Sequence, residues 1–169
     1  SWIMRYAATA HGEREIVSRN FEEDIWRYDY AAMARRAASC ANWLSSLGLQ
    51  QGDRVSSLSW NTHRHLELFF AVPAMGCVLH TANPRLPEEH IIYTIQHAGS
   101  RILLYDSSNA AIVERLKPHL PEIAHFIMRC PEDYDAEIAA FPYSHDWPVI
   151  DENRAAFLCY TSGTTGDPK

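Results

Sequence analysis

The tightest constraint on the fold is an alternation of short apolar strands with amphipathic helices that begins near residue 30 and continues to about residue 128. A helix is expected over residues 30–47. Asp29 offers an N-cap oxygen, Tyr30, Met33, Ala37, Ala41, Leu44 and Leu47 recur on one face, and Gly48 stops it. A turn at Gly52 and Asp53 leads to a strand at 54–58, after which Asn61 or Thr62 caps a second helix that reaches about Met75 and closes at Gly76. The unit then repeats. A buried-type strand at 77–80 is followed by a turn at Asn83-Pro84 and a helix opened by Pro87-Glu88-Glu89, whose acidic pair suits the positive helix end; Gly99 ends it after Ala98. A third strand at 101–105, a helix at 109–117 ended by Pro118 and a fourth strand at 125–128 complete the pattern. This order predicts an α/β fold: a mostly parallel sheet with right-handed crossovers and helices on both faces.

The flanks read differently. Residues 15–19 and 24–28 look like two short strands joined by a polar turn, a hairpin. Residues 130–154 are rich in Pro, Asp and Tyr without a period, which predicts a long surface connection. Residues 155–160 then read as a last buried strand running directly into Thr161-Ser162-Gly163-Thr164-Thr165-Gly166-Asp167-Pro168-Lys169.

Composition narrows the class. With 169 residues and 47% hydrophobic content, the chain can build a core without a disulfide or metal staple. Cys40, Cys77, Cys130 and Cys159 lie far apart with no Cys-x-x-Cys pair, so reduced, buried thiols in a cytoplasmic protein are expected, not a zinc site. Fifteen Lys+Arg against 21 Asp+Glu leave a net charge of −6, which argues against nucleic acid as a partner while permitting a local phosphate site. No apolar run approaches the roughly 18 residues that span a bilayer. The first residues lack the regions of a secretory signal, and without an initiator Met the chain is expected to begin within a longer gene.

The segment that carries chemistry is residues 161–166. Hydroxyls of Thr161, Ser162, Thr164 and Thr165 stand among Gly163 and Gly166 at the end of a strand, where open parallel sheets commonly bind ligands. A phosphate needs converging donors without side-chain obstruction; a Gly/Ser/Thr loop supplies amides and hydroxyls, and Lys169 adds a point charge. The loop is not a Walker A sequence, because Asp167-Pro168 separate Gly166 from Lys169.

Tyr160 to Lys169 resembles the phosphate-binding signature of the adenylate-forming superfamily of acyl-CoA synthetases, luciferases and peptide-synthetase adenylation domains. Leu47-Gly48-Leu49-Gln50-Gln51-Gly52-Asp53-Arg54-Val55 and Asn61 are similar to the entry segment of these enzymes. The stretch from Pro73 through His80-Thr81-Ala82-Asn83-Pro84-Arg85-Leu86 most resembles medium- and long-chain fatty-acid–CoA ligases. The resemblance implies that a carboxylate attacks the α-phosphorus of ATP to give an acyl-adenylate and pyrophosphate, and that coenzyme A then displaces AMP. It implies that Thr161, Ser162, Gly163, Thr164, Thr165, Gly166 and Lys169 hold the departing phosphates, with the Thr161 hydroxyl beside Mg²⁺. It also implies that residues 1–169 form a partial N-terminal AMP-binding domain ending at the phosphate-binding loop. The adenine site, hinge, acyl pocket and catalytic lysine would then lie downstream, leaving this stretch inactive by itself. The implied partners are a fatty acid, ATP and coenzyme A, with a homodimer as the usual assembly of the subgroup and peripheral membrane contact allowed by a fatty substrate. Two alternatives stand beside this one: an adenylate-forming enzyme for an aromatic acid, amino acid or luciferin-like acid, and a non-catalytic module that binds a nucleotide or partner.

Other residues carry blander expectations. His63 and His65 are two apart on a helix, so they read as surface residues, not paired ligands. His80 reads as a hydrogen-bonded core histidine and Arg85 as solvated. Trp2, Trp26, Trp43, Trp60 and Trp147 are dispersed and read as core or interface residues; Phe69-Phe70 read as helix-on-sheet packing.

Overall fold

The computed structural model describes residues 2–20 and 25–161, the side chains of residues 131 and 132 excepted. A helix α1 (Trp2–Ala10) precedes an antiparallel hairpin of β1 (Glu15–Arg19) and β2 (Ile25–Asp29). There follow α2 (Tyr30–Ser46), β3 (Arg54–Leu58), α3 (His63–Ala74), β4 (Val78–Ala82), α4 (Glu88–Ala98), β5 (Ile102–Asp106), α5 (Ala110–Leu116), β6 (His125–Arg129), α6 (Pro131–Ala139) and β7 (Phe157–Leu158). The last five strands form one parallel sheet in the order β6-β5-β3-β4-β7. The α/β class and the parallel sheet are those the alternation predicts.

Local chemistry sets the element ends. The Asp29 carboxylate accepts the Ala32 N–H at 2.6 Å and starts α2. Gly99 takes φ 61° to end α4, a left-handed conformation that favours glycine. Arg54, first residue of β3, donates to the Ala98 and Gly99 carbonyls at 2.9 and 2.8 Å, giving the negative end of α4 both hydrogen bonds and a cation.

Strand alternation sends successive side chains to opposite faces and so splits the core. Val55, Leu79, Ile102 and Leu104 pack with Met33, Ala37, Leu44, Leu68 and Val72 from α2 and α3. Leu58, Ala82, Leu103 and Tyr105 pack with Ile91, Ile95 and Val113 from α4 and α5. Helices therefore cover both faces.

Several expectations are corrected. Residues 131–139, expected within a surface connection, form α6, and Tyr134 and Ile138 bury against α2 and the sheet. The helix α1 precedes the first element that the sequence pattern predicts. The strand expected over 155–160 is two residues long and only partly buried, with β4 as its ladder partner among the described residues. Of the thiols, Cys40 and Cys77 are buried, whereas Cys130 is half-buried and Cys159 exposed. Among the tryptophans, Trp43 belongs to the core, while Trp2 is 75% exposed.

Candidate functional site

All five parallel strands end on the same edge, so the segments after Leu58, Ala82, Asp106, Arg129 and Leu158 leave the sheet together. Two buried charges tie this edge. Arg129, closing β6, lies 3.1 Å from the Asp106 carboxylate that closes β5, and also donates to the Ser59 hydroxyl after β3. The other oxygen of Asp106 accepts the Trp60 N–H at 2.7 Å. Asn109 donates to the Leu58 carbonyl at 3.0 Å, and the Trp60 indole N–H donates to Ser108 at 3.2 Å. The loops after β3, β5 and β6 are thus fastened to one another. Arg85 is exposed, as expected, and its guanidinium lies 5.3 Å from the centre of the Trp60 ring.

The candidate phosphate segment leaves from β7. Leu158 sits opposite His80 of β4 in the parallel register, and Tyr160 follows two residues later. The Tyr160 hydroxyl and His97 Nδ1 are 2.7 Å apart, and the His80 ring meets the Tyr160 ring nearly edge-on at 5.2 Å. His80 is wholly buried, as expected of a core histidine, with Nδ1 2.7 Å from the Ser56 hydroxyl, itself 2.8 Å from Ser100. Its Nε2 has no hydrogen-bond partner among the described residues. Burial holds its pKa down at about 4, so the imidazole is neutral at pH 7. On the opposite face Phe157 stacks on Phe69, ring centres 4.1 Å apart. Thr161 is exposed just beyond this pair of contacts. Ser162, Gly163, Thr164, Thr165, Gly166 and Lys169 lie outside the described residues.

A cleft of about 530 Å³ opens beside this edge, between the hairpin, the amino end of α3 and Thr81 of β4. His63 and His65 line it, and both are buried, which corrects the surface expectation. The reason is the hairpin, which lies over the first turn of α3. Trp26 of β2 stacks on the His63 ring at 4.4 Å, Ser18 of β1 accepts the His63 N–H at 2.9 Å, and Asn20 Oδ1 is 3.1 Å from its Nδ1. Burial, assisted by Arg64 for His63 and by Arg129 for His65, lowers these imidazoles to about 3 and about 4. Among the described residues, no cluster of three or more His, Cys, Asp or Glu able to hold a metal ion includes either histidine or exists elsewhere. Nor is any helix among them long and apolar enough to cross a membrane.

Sequence reasoning missed the Asp106–Arg129 pair and the His97 contact to Tyr160. Their partners lie 23 and 63 positions apart in the chain, and no local pattern joins them.

Residues 4–169 match the family model described as AMP-binding enzyme. The chain is 41% identical over 170 residues to a long-chain-fatty-acid–CoA ligase of Thermus thermophilus, covering 99% of this chain and 31% of the relative. It is 39% identical over 181 residues to a 3-methylmercaptopropionyl-CoA ligase of Ruegeria lacuscaerulensis, covering 100% of this chain and 34% of that protein. It thus spans about a third of the length of the curated relatives it matches. The inhibitor-bound N-terminal domain of FACL13 from Mycobacterium tuberculosis superposes with a TM-score of 0.87 at 25% identity, over 99% of this chain and 42% of that one.

Proposed function

The chain belongs to the AMP-binding enzyme family, and from that premise we propose that residues 1–169 are the first part of the N-terminal domain of an ATP-dependent fatty-acid–CoA ligase, ending at its phosphate-binding loop. The observation that carries this reading is the course of the chain at Thr161: the Gly/Ser/Thr segment starts where β7 leaves the carboxyl edge of a parallel sheet, the edge at which such sheets take ligands. The fatty-acid ligases among the relatives support the acyl class. A short sulfur-bearing carboxylic acid is the second reading, favoured by the 3-methylmercaptopropionyl-CoA ligase relatives.

In this reading a carboxylate oxygen bonds to the α-phosphorus of ATP as the bond from that phosphorus to the bridging oxygen breaks, and pyrophosphate leaves with the electron pair. The coenzyme A thiolate then bonds to the acyl carbon, and AMP departs. The loop acts on the first step. Amides and hydroxyls of residues 161–166 and the Lys169 ammonium meet the negative charge that grows on the departing phosphates, and such donors contribute about 3 kcal/mol each when aimed at that charge. Thr161, exposed at the strand end, would offer a hydroxyl, a hard oxygen donor, to a magnesium ion accompanying ATP. Residues 1–169 alone are expected to be inactive, since the adenine site and catalytic lysine of this reading lie downstream.

The test uses the complete protein. Thr161→Ala and Lys169→Ala should raise the KM for ATP at least tenfold (~1.4 kcal/mol) while leaving the KM for coenzyme A within about two-fold. Equal weakening for both ligands would overturn the assignment and indicate misfolding.

A further inference from the structure

Among the described residues, the ladder between β4 and β7, the strand that leads into the candidate phosphate loop, is short. β7 pairs with β4 at Leu79–Phe157 and His80–Leu158 only, whereas β3 and β4 share five register pairs. The two ladder positions fix β7 beside β4, and the direction of the residues that follow depends further on their side-chain contacts.

Side chains on both faces supply what the ladder lacks. On the α3 face, Phe157 stacks on Phe69 with the ring planes 25° apart. On the α4 face, the Tyr160 ring rests against His80, and its hydroxyl reaches His97. Both imidazoles are themselves fixed. His80 is locked in the core through Ser56 and Ser100, and His97 stacks on Tyr93, one turn earlier in α4, with centres 5.6 Å apart and planes within 10°. A half-buried aromatic packed only for burial needs no polar handle; here the handle fixes the ring's orientation one residue before Thr161.

We propose that Tyr160 is a positioning residue for ATP: clasped by His97 and His80 on one face of β7, as Phe157 is clasped by Phe69 on the other, it sets the direction in which the chain leaves the sheet at Thr161. The proposal rests on the phosphate-loop reading above. It assigns to α4 and the middle of β4, which lie outside the signature, a share in gripping the nucleotide. Misplacing a contact by about 1 Å is enough to weaken ligand engagement severely, so the clasp acts through geometry without touching ATP.

The test measures the dissociation constant of ATP by calorimetry, together with steady-state kinetics and the thermal midpoint, in the complete protein. Tyr160→Phe removes the hydroxyl and keeps the ring; it should raise the ATP dissociation constant and KM about five-fold, the usual weight of one hydrogen bond. Its effects on the KM for acid and coenzyme A should stay within about two-fold, and the midpoint should move by no more than ~1 °C, because a partly exposed hydrogen bond adds little to global stability. His97→Ala should reproduce this, and the double variant should be no worse than either single one, since both remove the same bond. If Tyr160→Phe leaves ATP binding unchanged while Thr161→Ala and Lys169→Ala weaken it, the clasp is refuted and the phosphate-loop reading stands. If all of these variants leave ATP binding unchanged, that reading falls and the clasp with it. A lowered midpoint with equal weakening of all three ligands would mean that the clasp is structural only, and would also overturn the proposal.

Discussion

Acidification should unfold this domain through histidines that titrate only once it opens, and His80 lets the effect be isolated. His63, His65 and His80 are all buried, and burial lowers their pKa values to about 3, about 4 and about 4. For His80 the structural cause is plain: the ring is wholly buried, and beyond the Nδ1 contact to Ser56 its Nε2 has no partner among the described residues to offset the charge of a second proton. The native state thus binds fewer protons than the unfolded one between the unfolded value of about 6.5 and the folded value of about 4. Stability is fully present above pH 6.5 and is lost as pH falls through that window. Each such histidine costs about 1.4 kcal/mol per pH unit, so going from pH 7 to pH 5 removes ~2 kcal/mol through His80 alone and ~6 kcal/mol through all three. The assay is urea unfolding at pH 7 and pH 5 of the wild type and His80→Gln, which keeps a neutral partner for Ser56. The loss between the two pH values should be smaller in the variant by ~2 kcal/mol, whatever its stability at pH 7. Identical losses in the two proteins would show that His80 does not stay neutral in the folded state.

Two further substitutions test how the sheet edge and the α4 terminus are held. Asp106→Ala leaves the Arg129 guanidinium buried without its carboxylate and removes the acceptor for the Trp60 N–H, so it should destabilise by ~3–5 kcal/mol in denaturant unfolding; a loss under ~1 kcal/mol would show the pair is dispensable. Gly99→Ala forces a side chain into a left-handed position and brings its Cβ to 2.6 Å from the Arg54 guanidinium that caps α4, which should cost about 1–2 kcal/mol; an unchanged thermal midpoint would contradict the capping geometry.

The parts of the fold legible in the sequence are those whose signals are local. Asp29 before α2, Gly99 after α4 and the acidic opening of α4 each act within one turn of their own position, and those helix bounds match the expectation to within a residue or two. Two helices were hidden for opposite reasons. In α1 the apolar residues Trp2, Ile3 and Tyr6 face outward, so the periodicity does not mark a core face. In α6 the buried residues among the described side chains are Tyr134 and Ile138, a single turn apart; Pro131 at the start of the helix is the available signal. The burial of His63 and His65 depends on a hairpin packing over α3, a long-range event that helix periodicity does not report. The same holds for the candidate site. Its loop is visible because Gly, Ser and Thr cluster in a few positions, whereas the residues that aim it, His80 and His97, are brought to Tyr160 only by the sheet register and the packing of α4.

The most direct measurement of the central claim is the exchange of labelled pyrophosphate into ATP by the complete protein, without coenzyme A, across saturated fatty acids of increasing chain length and 3-methylmercaptopropionate. Formation of an acyl-adenylate predicts exchange that requires an acid and is fastest with a fatty acid. Exchange supported best by 3-methylmercaptopropionate would shift the substrate to the second reading. No exchange with any of these acids, from a protein that still binds ATP, would contradict the account and leave a nucleotide-binding module in its place.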